Sequence, residues 1–156
     1  MKKRLYIAYG SNLNLAQMGS RCPNSKPICK TWLNDFKLVF QGHPLGAHAN
    51  VIPAEGHRVP VAVWEITPLD ERALDRYEGV AGGYYTKETA EVEINGEMHE
   101  ALIYIMTPRG YGIPSDRYLD VIVEGYRDFN LDAEYLNTAL IESMAKAAAP
   151  RKARTR

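Results

Sequence analysis

At 156 residues, with 46% hydrophobic and 24% charged side chains, the chain has room for one domain and enough apolar content to fold around its own core. Nineteen basic residues balance nineteen acidic ones, which excludes a surface built throughout for a polyanion and leaves no nucleic-acid partner to expect. No stretch approaches the roughly 20 apolar residues that cross a bilayer as a helix, so no membrane partner and a cytoplasmic location are expected.

The zero balance is uneven along the chain. Lys146, Arg151, Lys152, Arg154 and Arg156 fall in the last eleven residues, leaving 14 bases against 19 acids, a net −5, over residues 1–145. A single domain over 1–145 and a basic, frayed tail over 146–156 follow as the expected organisation.

In chain order, the short apolar run Leu5–Tyr9 reads as a buried strand ended by Gly10-Ser11-Asn12, with a short helix over Leu13–Met18 directly behind it. Leu33, Phe36, Leu38 and Phe40 mark a strand. Ala47–Pro53 and Val59–Ile66 mark two more around a turn at Glu55-Gly56. Thr67-Pro68-Leu69-Asp70 starts a helix: Thr67 caps, Pro68 suits the first helical position, and Asp70 meets the positive end of the dipole. Leu69, Ala73, Leu74 and Tyr77 form its apolar face, and Gly79 closes it by taking the left-handed conformation. Tyr84–Ile94 and Met98–Met106 pair across Asn95-Gly96, a strong hairpin signal. Ser115-Asp116 opens a helix carrying Tyr118, Ile122 and Gly125, and Asp132 opens another carrying Tyr135, Leu136 and Leu140. The fold class is α+β, with strands closing on themselves and helices packed outside.

Two segments carry candidate chemistry. In Tyr9-Gly10-Ser11-Asn12-Leu13 a glycine admits close backbone approach, and consecutive N–H groups ahead of a helix can hold a carboxylate or phosphate. The segment is neither a dinucleotide fingerprint nor a phosphate-binding Walker loop, and taken by itself Gly-Ser-Asn after a strand is more often a helix cap than a ligand cradle. Glu78 stands at a helix C-terminus beside Tyr77, near Tyr84-Tyr85. The negative end of the dipole and apolar neighbours both favour its protonated form, which makes a glutamate a usable acid and base near neutral pH. Read alone, a solvated glutamate in a helix-ending turn is the commoner case.

Other groups offer less. Cys22 and Cys29 have neither zinc-knuckle nor redox-pair spacing and are expected as reduced, buried thiols. His43, His48, His57 and His99 lack metal-ligand spacing, so no metal and no cofactor are expected. Ser11 lacks a nucleophile elbow. Tyr104, Tyr111, Tyr118 and Tyr126 suit a pocket wall or a core rim.

Taken together, these segments resemble the γ-glutamylcyclotransferase-like family. The likeness is carried, in order, by Tyr6-Ile7-Ala8-Tyr9-Gly10-Ser11-Asn12-Leu13, Arg21-Cys22-Pro23, Ala49-Asn50-Val51-Ile52, Val63-Trp64-Glu65-Ile66, Leu74-Asp75-Arg76-Tyr77-Glu78-Gly79-Val80 with Tyr84-Tyr85, and Pro114-Ser115-Asp116-Arg117-Tyr118-Leu119. Asn130-Leu131 stands where the family often has Gly-Leu, a swap Asn tolerates because it too adopts left-handed backbone. The resemblance implies a small mixed β-barrel with peripheral helices and release of 5-oxoproline and a free amine from a γ-glutamyl amine or amino acid. It also implies Glu78 as catalytic acid/base and Tyr9, Gly10, Ser11, Asn12, Leu13, Tyr85 and Tyr118 as substrate-binding residues. The chemistry fits: the substrate's own α-amine attacks its γ-carbonyl, so orientation and one proton carrier suffice. The rival from another class is a non-catalytic module that binds a small carboxylate metabolite in the same fold; a basic-tail adaptor is a third. Oligomeric state is left open.

Overall fold

A computed structural model describes residues 2–149. Its elements in chain order are β1 (Arg4–Ala8), a 3-10 turn (Ser11–Leu13), α1 (Leu15–Arg21), β2 (Lys26–His43), β3 (Gly46–Ile66), α2 (Pro68–Tyr77), β4 (Tyr85–Ile94), β5 (Glu97–Met106), α3 (Asp116–Asp128) and α4 (Ala133–Ala147). The α+β class is as expected. The barrel is not: the five strands form an open sheet in the order β2-β3-β1-β5-β4. Its edges β2 and β4 touch where the Thr31 hydroxyl donates to the Glu93 main-chain carbonyl at 2.7 Å, with no backbone ladder between them.

β1 sits at the centre, antiparallel to β3 and parallel to β5. Strands covered on both faces read as continuous apolar runs, and Tyr6, Ile7 and Ala8 are all buried. The two strands expected over 47–66 are one. The Glu55-Gly56 signal marks an irregularity where pairing jumps from Phe36↔Pro53 to Asn34↔Arg58. Asp35 and Gly56 both take positive φ there, and the Asp35 carboxylate accepts from the Gly56 N–H at 3.0 Å. A local bulge thus absorbs the turn residues and pairing resumes beyond it. The β4–β5 hairpin turns at Asn95 and Gly96, both at positive φ, as a two-residue turn matched to strand twist requires.

The first helix begins two residues later than expected, because Asn14 is its cap and Leu13 belongs to the 3-10 turn. α2 opens with a full capping box between Thr67 and Asp70. Leu74 is buried on its face, but Leu69 is 54% exposed and Tyr77 43% exposed, so the apolar stripe is narrower than the periodicity implied. α4 covers edge strand β2, where the buried Ser143 hydroxyl accepts from the Phe40 N–H at 2.9 Å. An edge donor otherwise open to pairing is thereby satisfied. Lys146 and Ala147, assigned to the tail by their charge and position, are the last residues of α4; the tail from Pro150 onward lies outside the described residues. Cys22 is buried and Cys29 half-buried, both as free thiols, so burial was overestimated for Cys29. Among the described residues no helix is long and apolar enough to span a membrane.

Candidate active site

β1 stops at Ala8, and the room it vacates beside β3 and β5 opens into a cavity of about 600 Å³. Asn50 links β3 to β5 beyond the end of β1. Buried on β3, its side-chain carbonyl accepts from the Met106 N–H at 2.8 Å, and its amide donates to Gln41 at 2.8 Å. A polar residue inside the apolar run 47–53 was the signal for it in the sequence.

The cavity brings together Tyr9, Gly10, Ser11, Asn12, Glu78, Tyr85 and Tyr118, from four separate parts of the chain. Leu13 does not join them. It is fully buried and faces away into α3, where a Cβ on Gly125 would come within 2.7 Å of the Leu13 Cβ. Its apolar side chain anchors the 3-10 turn to the core, a role that correct assignment of the turn would have indicated.

α2 is held against the sheet from its last two turns. The Tyr104 hydroxyl of β5 donates to the Asp75 carboxylate at 2.6 Å, and Lys87 of β4 bonds to Asp75 and Glu71. The helix ends with Glu78 as its C-cap, and Gly79 turns the chain at φ +64°. That glycine has a second constraint, because a Cβ there would approach Tyr84 Cδ2 to 2.9 Å. The termination projects Glu78 from the helix end into the cavity wall. Withdrawal of water raises its carboxyl from 4.5 to about 7, against the opposing pull of the Arg21 guanidinium.

The tyrosines around it differ in what their protons are doing. The Tyr9 hydroxyl donates to the Tyr104 carbonyl at 2.7 Å and Tyr85 to the Ala49 carbonyl at 3.1 Å. Tyr118 instead accepts from the Ala49 N–H at 2.9 Å, which leaves its own O–H proton free to donate. Burial pushes all three phenols above their usual value, so they are neutral hydrogen-bonding groups. Gly10 lies under this wall, where a Cβ would stand 3.1 Å from the Ala49 Cβ and 3.5 Å from the Tyr118 hydroxyl.

Three further groups, of which His48 and Arg109 line the cavity, were given no individual role by the sequence. His48 packs edge-on against Tyr118 with centroids 4.7 Å apart, Arg109 stands over Tyr84 at 4.8 Å, and Arg21 lies against Tyr77. A lone histidine in a strand and an arginine in a loop carry no distinctive spacing, and only tertiary contact identifies them. No group of three or more His, Cys, Asp or Glu side chains is placed to hold a metal among the described residues.

The AIG2-like family model matches residues 58–138. The γ-glutamylcyclotransferase of Homo sapiens is 32% identical over 139 residues, covering 84% of this chain and 74% of that protein; that of Mus musculus is 33% identical with the same coverage. A solved γ-glutamyl cyclotransferase structure superposes with a TM-score of 0.80 at 29% identity, over 88% of this chain and 86% of its own. The chain belongs to the γ-glutamylcyclotransferase family of enzymes.

Proposed function

We propose that the cavity converts a γ-glutamyl amine or γ-glutamyl amino acid to 5-oxoproline and the free amine, with Glu78 as the single proton carrier. The observation that carries this reading is a carboxyl lifted to about 7 in a cavity it shares with the Gly10–Asn12 turn. Near neutral pH such a group is populated in both protonation states, so it can accept a proton and return it.

The substrate arrives with its α-amine as an ammonium ion. Glu78 takes one proton, freeing the nitrogen lone pair to attack the γ-carbonyl carbon. A carbon–nitrogen bond closes the five-membered ring as the carbonyl oxygen takes on negative charge. Glu78 returns its proton to the departing nitrogen, whose bond breaks as that oxygen re-forms the carbonyl. The regenerated carboxylate then takes the second proton from the ring nitrogen, leaving the neutral lactam, and passes it to the released amine, which departs as an ammonium ion. Because nucleophile and electrophile are parts of one molecule, correct folding of the substrate can contribute about 7 to 11 kcal/mol.

Folding the substrate needs a fixed point for its α-carboxylate. The backbone N–H groups of Ser11 and Asn12 make no hydrogen bond to the described chain and are suited to an anion. The free proton of Tyr118 is the donor available for the charge that develops on the γ-carbonyl oxygen.

Mass spectrometry of wild type and Glu78→Gln with a panel of γ-glutamyl amides and dipeptides tests the reading. Wild type should release 5-oxoproline in equal amount to the amine, and the variant should bind substrate without turning it over. Turnover by the variant at the wild-type rate would remove Glu78 from the reaction.

A further inference from the structure

Arg21 ends α1, outside every segment to which a role has been given. A basic side chain in the last turn of a helix ordinarily complements the dipole from solvent. This one turns inward. Its guanidinium carbon lies 3.3 Å from the centroid of the Tyr77 ring, and its Nη1 donates to the Asn12 side-chain carbonyl. The other end of the Asn12 amide donates to the Tyr6 hydroxyl at 2.8 Å, and the Tyr77 hydroxyl hydrogen-bonds the Ser11 hydroxyl at 3.1 Å.

Those contacts form a closed circuit. Arg21 touches Tyr77, Tyr77 touches Ser11, Ser11 precedes Asn12, and Asn12 returns to Arg21. The circuit joins the two halves of the site, since Tyr77 immediately precedes Glu78 while Ser11 and Asn12 form the proposed anion turn. We propose that Arg21 is a positioning residue for the reaction: its guanidinium locks the Glu78-bearing turn onto the 3-10 turn and holds a fixed positive charge beside the carboxyl. The inference rests on the reading of Glu78 as proton carrier.

The charges around Glu78 single out Arg21. Tyr6 from β1, Tyr85 from β4 and Tyr118 from α3 border the same cavity, and burial keeps each phenol neutral. His43 and His48 come from the β2–β3 hairpin and Arg109 from the loop after β5. The field of Arg21 opposes the burial effect on Glu78 and also reaches Tyr6 and Tyr118. An ammonium cannot lie flat on an aromatic ring while donating sideways from a rigid plane, so lysine at this position would restore the charge without restoring the circuit.

The test is the pH dependence of kcat/KM for wild type, Arg21→Gln, Arg21→Lys and Glu78→Gln, with thermal melts to establish that each variant is folded. The acid limb of this profile reports the free enzyme's essential base. Loss of an opposing charge should raise that limb by about one pH unit in Arg21→Gln, at the low end of ordinary ion-pair effects. Arg21→Lys should return the limb toward the wild-type position while its kcat stays depressed at the pH plateau. A folded Arg21→Gln variant with an unmoved limb, or Arg21→Lys and Arg21→Gln with identical profiles, overturns the inference. Active Glu78→Gln would instead strike the reading beneath it, so the two failures are distinguishable.

Discussion

Glu78→Gln should make the protein more stable as it makes it inactive, and the gain should depend on pH. The folded carboxyl titrates at about 7 against an ordinary 4.5. Between those values the unfolded chain has already released the proton that the folded chain retains, so native stability falls as pH rises from 4.5 through 7. At about 1.4 kcal/mol per unit, the full loss above pH 8 is about 3 kcal/mol. Glutamine cannot ionise and escapes it. At pH 8 the variant should therefore melt roughly 6 to 12 °C above wild type for a domain of this size, and the two melts should converge below pH 4.5. Thermal unfolding followed by circular dichroism from pH 4 to 8.5 measures both curves. A difference that is absent at pH 8, or the same at every pH, would refute the argument that burial strains the ionised form.

Three substitutions probe the scaffold. Gly125→Ala would drive a methyl to 2.7 Å from the Leu13 Cβ and 2.8 Å from the Asn14 nitrogen; overpacking against backbone should cost about 1 to 3 kcal/mol, seen in the urea midpoint, with KM rising as the 3-10 turn is displaced. Gly79→Ala combines a φ of +64° with a Cβ 2.9 Å from Tyr84. It should cost about 1 to 2 kcal/mol for the left-handed backbone alone and lower kcat by shifting Glu78, measured as turnover at saturating substrate. Gly10→Ala meets only side-chain atoms, the nearer at 3.1 Å, and should raise KM several-fold with little change in the melting temperature.

Residues with local signals were legible from the chain itself. Thr67, Pro68 and Asp70 fixed the start of α2, and Gly79 its end, because caps and positive-φ turns depend on immediate neighbours. Asn95-Gly96 set the hairpin register, and Asn130 takes φ +53° where a glycine or asparagine was anticipated. The Glu55-Gly56 signal failed because a bulge and a chain reversal use the same residue types. Leu13 was misplaced because a 3-10 turn and the start of a helix look alike over three residues. The expected barrel rested on resemblance, and how the sheet edges meet is decided by residues far apart in sequence, such as Thr31, whose hydroxyl reaches the Glu93 main-chain carbonyl.

The sequence alone determined where Glu78 stands in its own helix, since termination at a glycine is a local event. It also determined that a glycine-containing turn follows the first strand. That these two lie in one cavity, and that Arg21 ties one to the other, was decided by tertiary structure. The pKa of Glu78 depends on the water its neighbours exclude and on a guanidinium 57 positions earlier in the chain. Desolvation and Coulomb energy follow distance in space, which only the packed fold fixes.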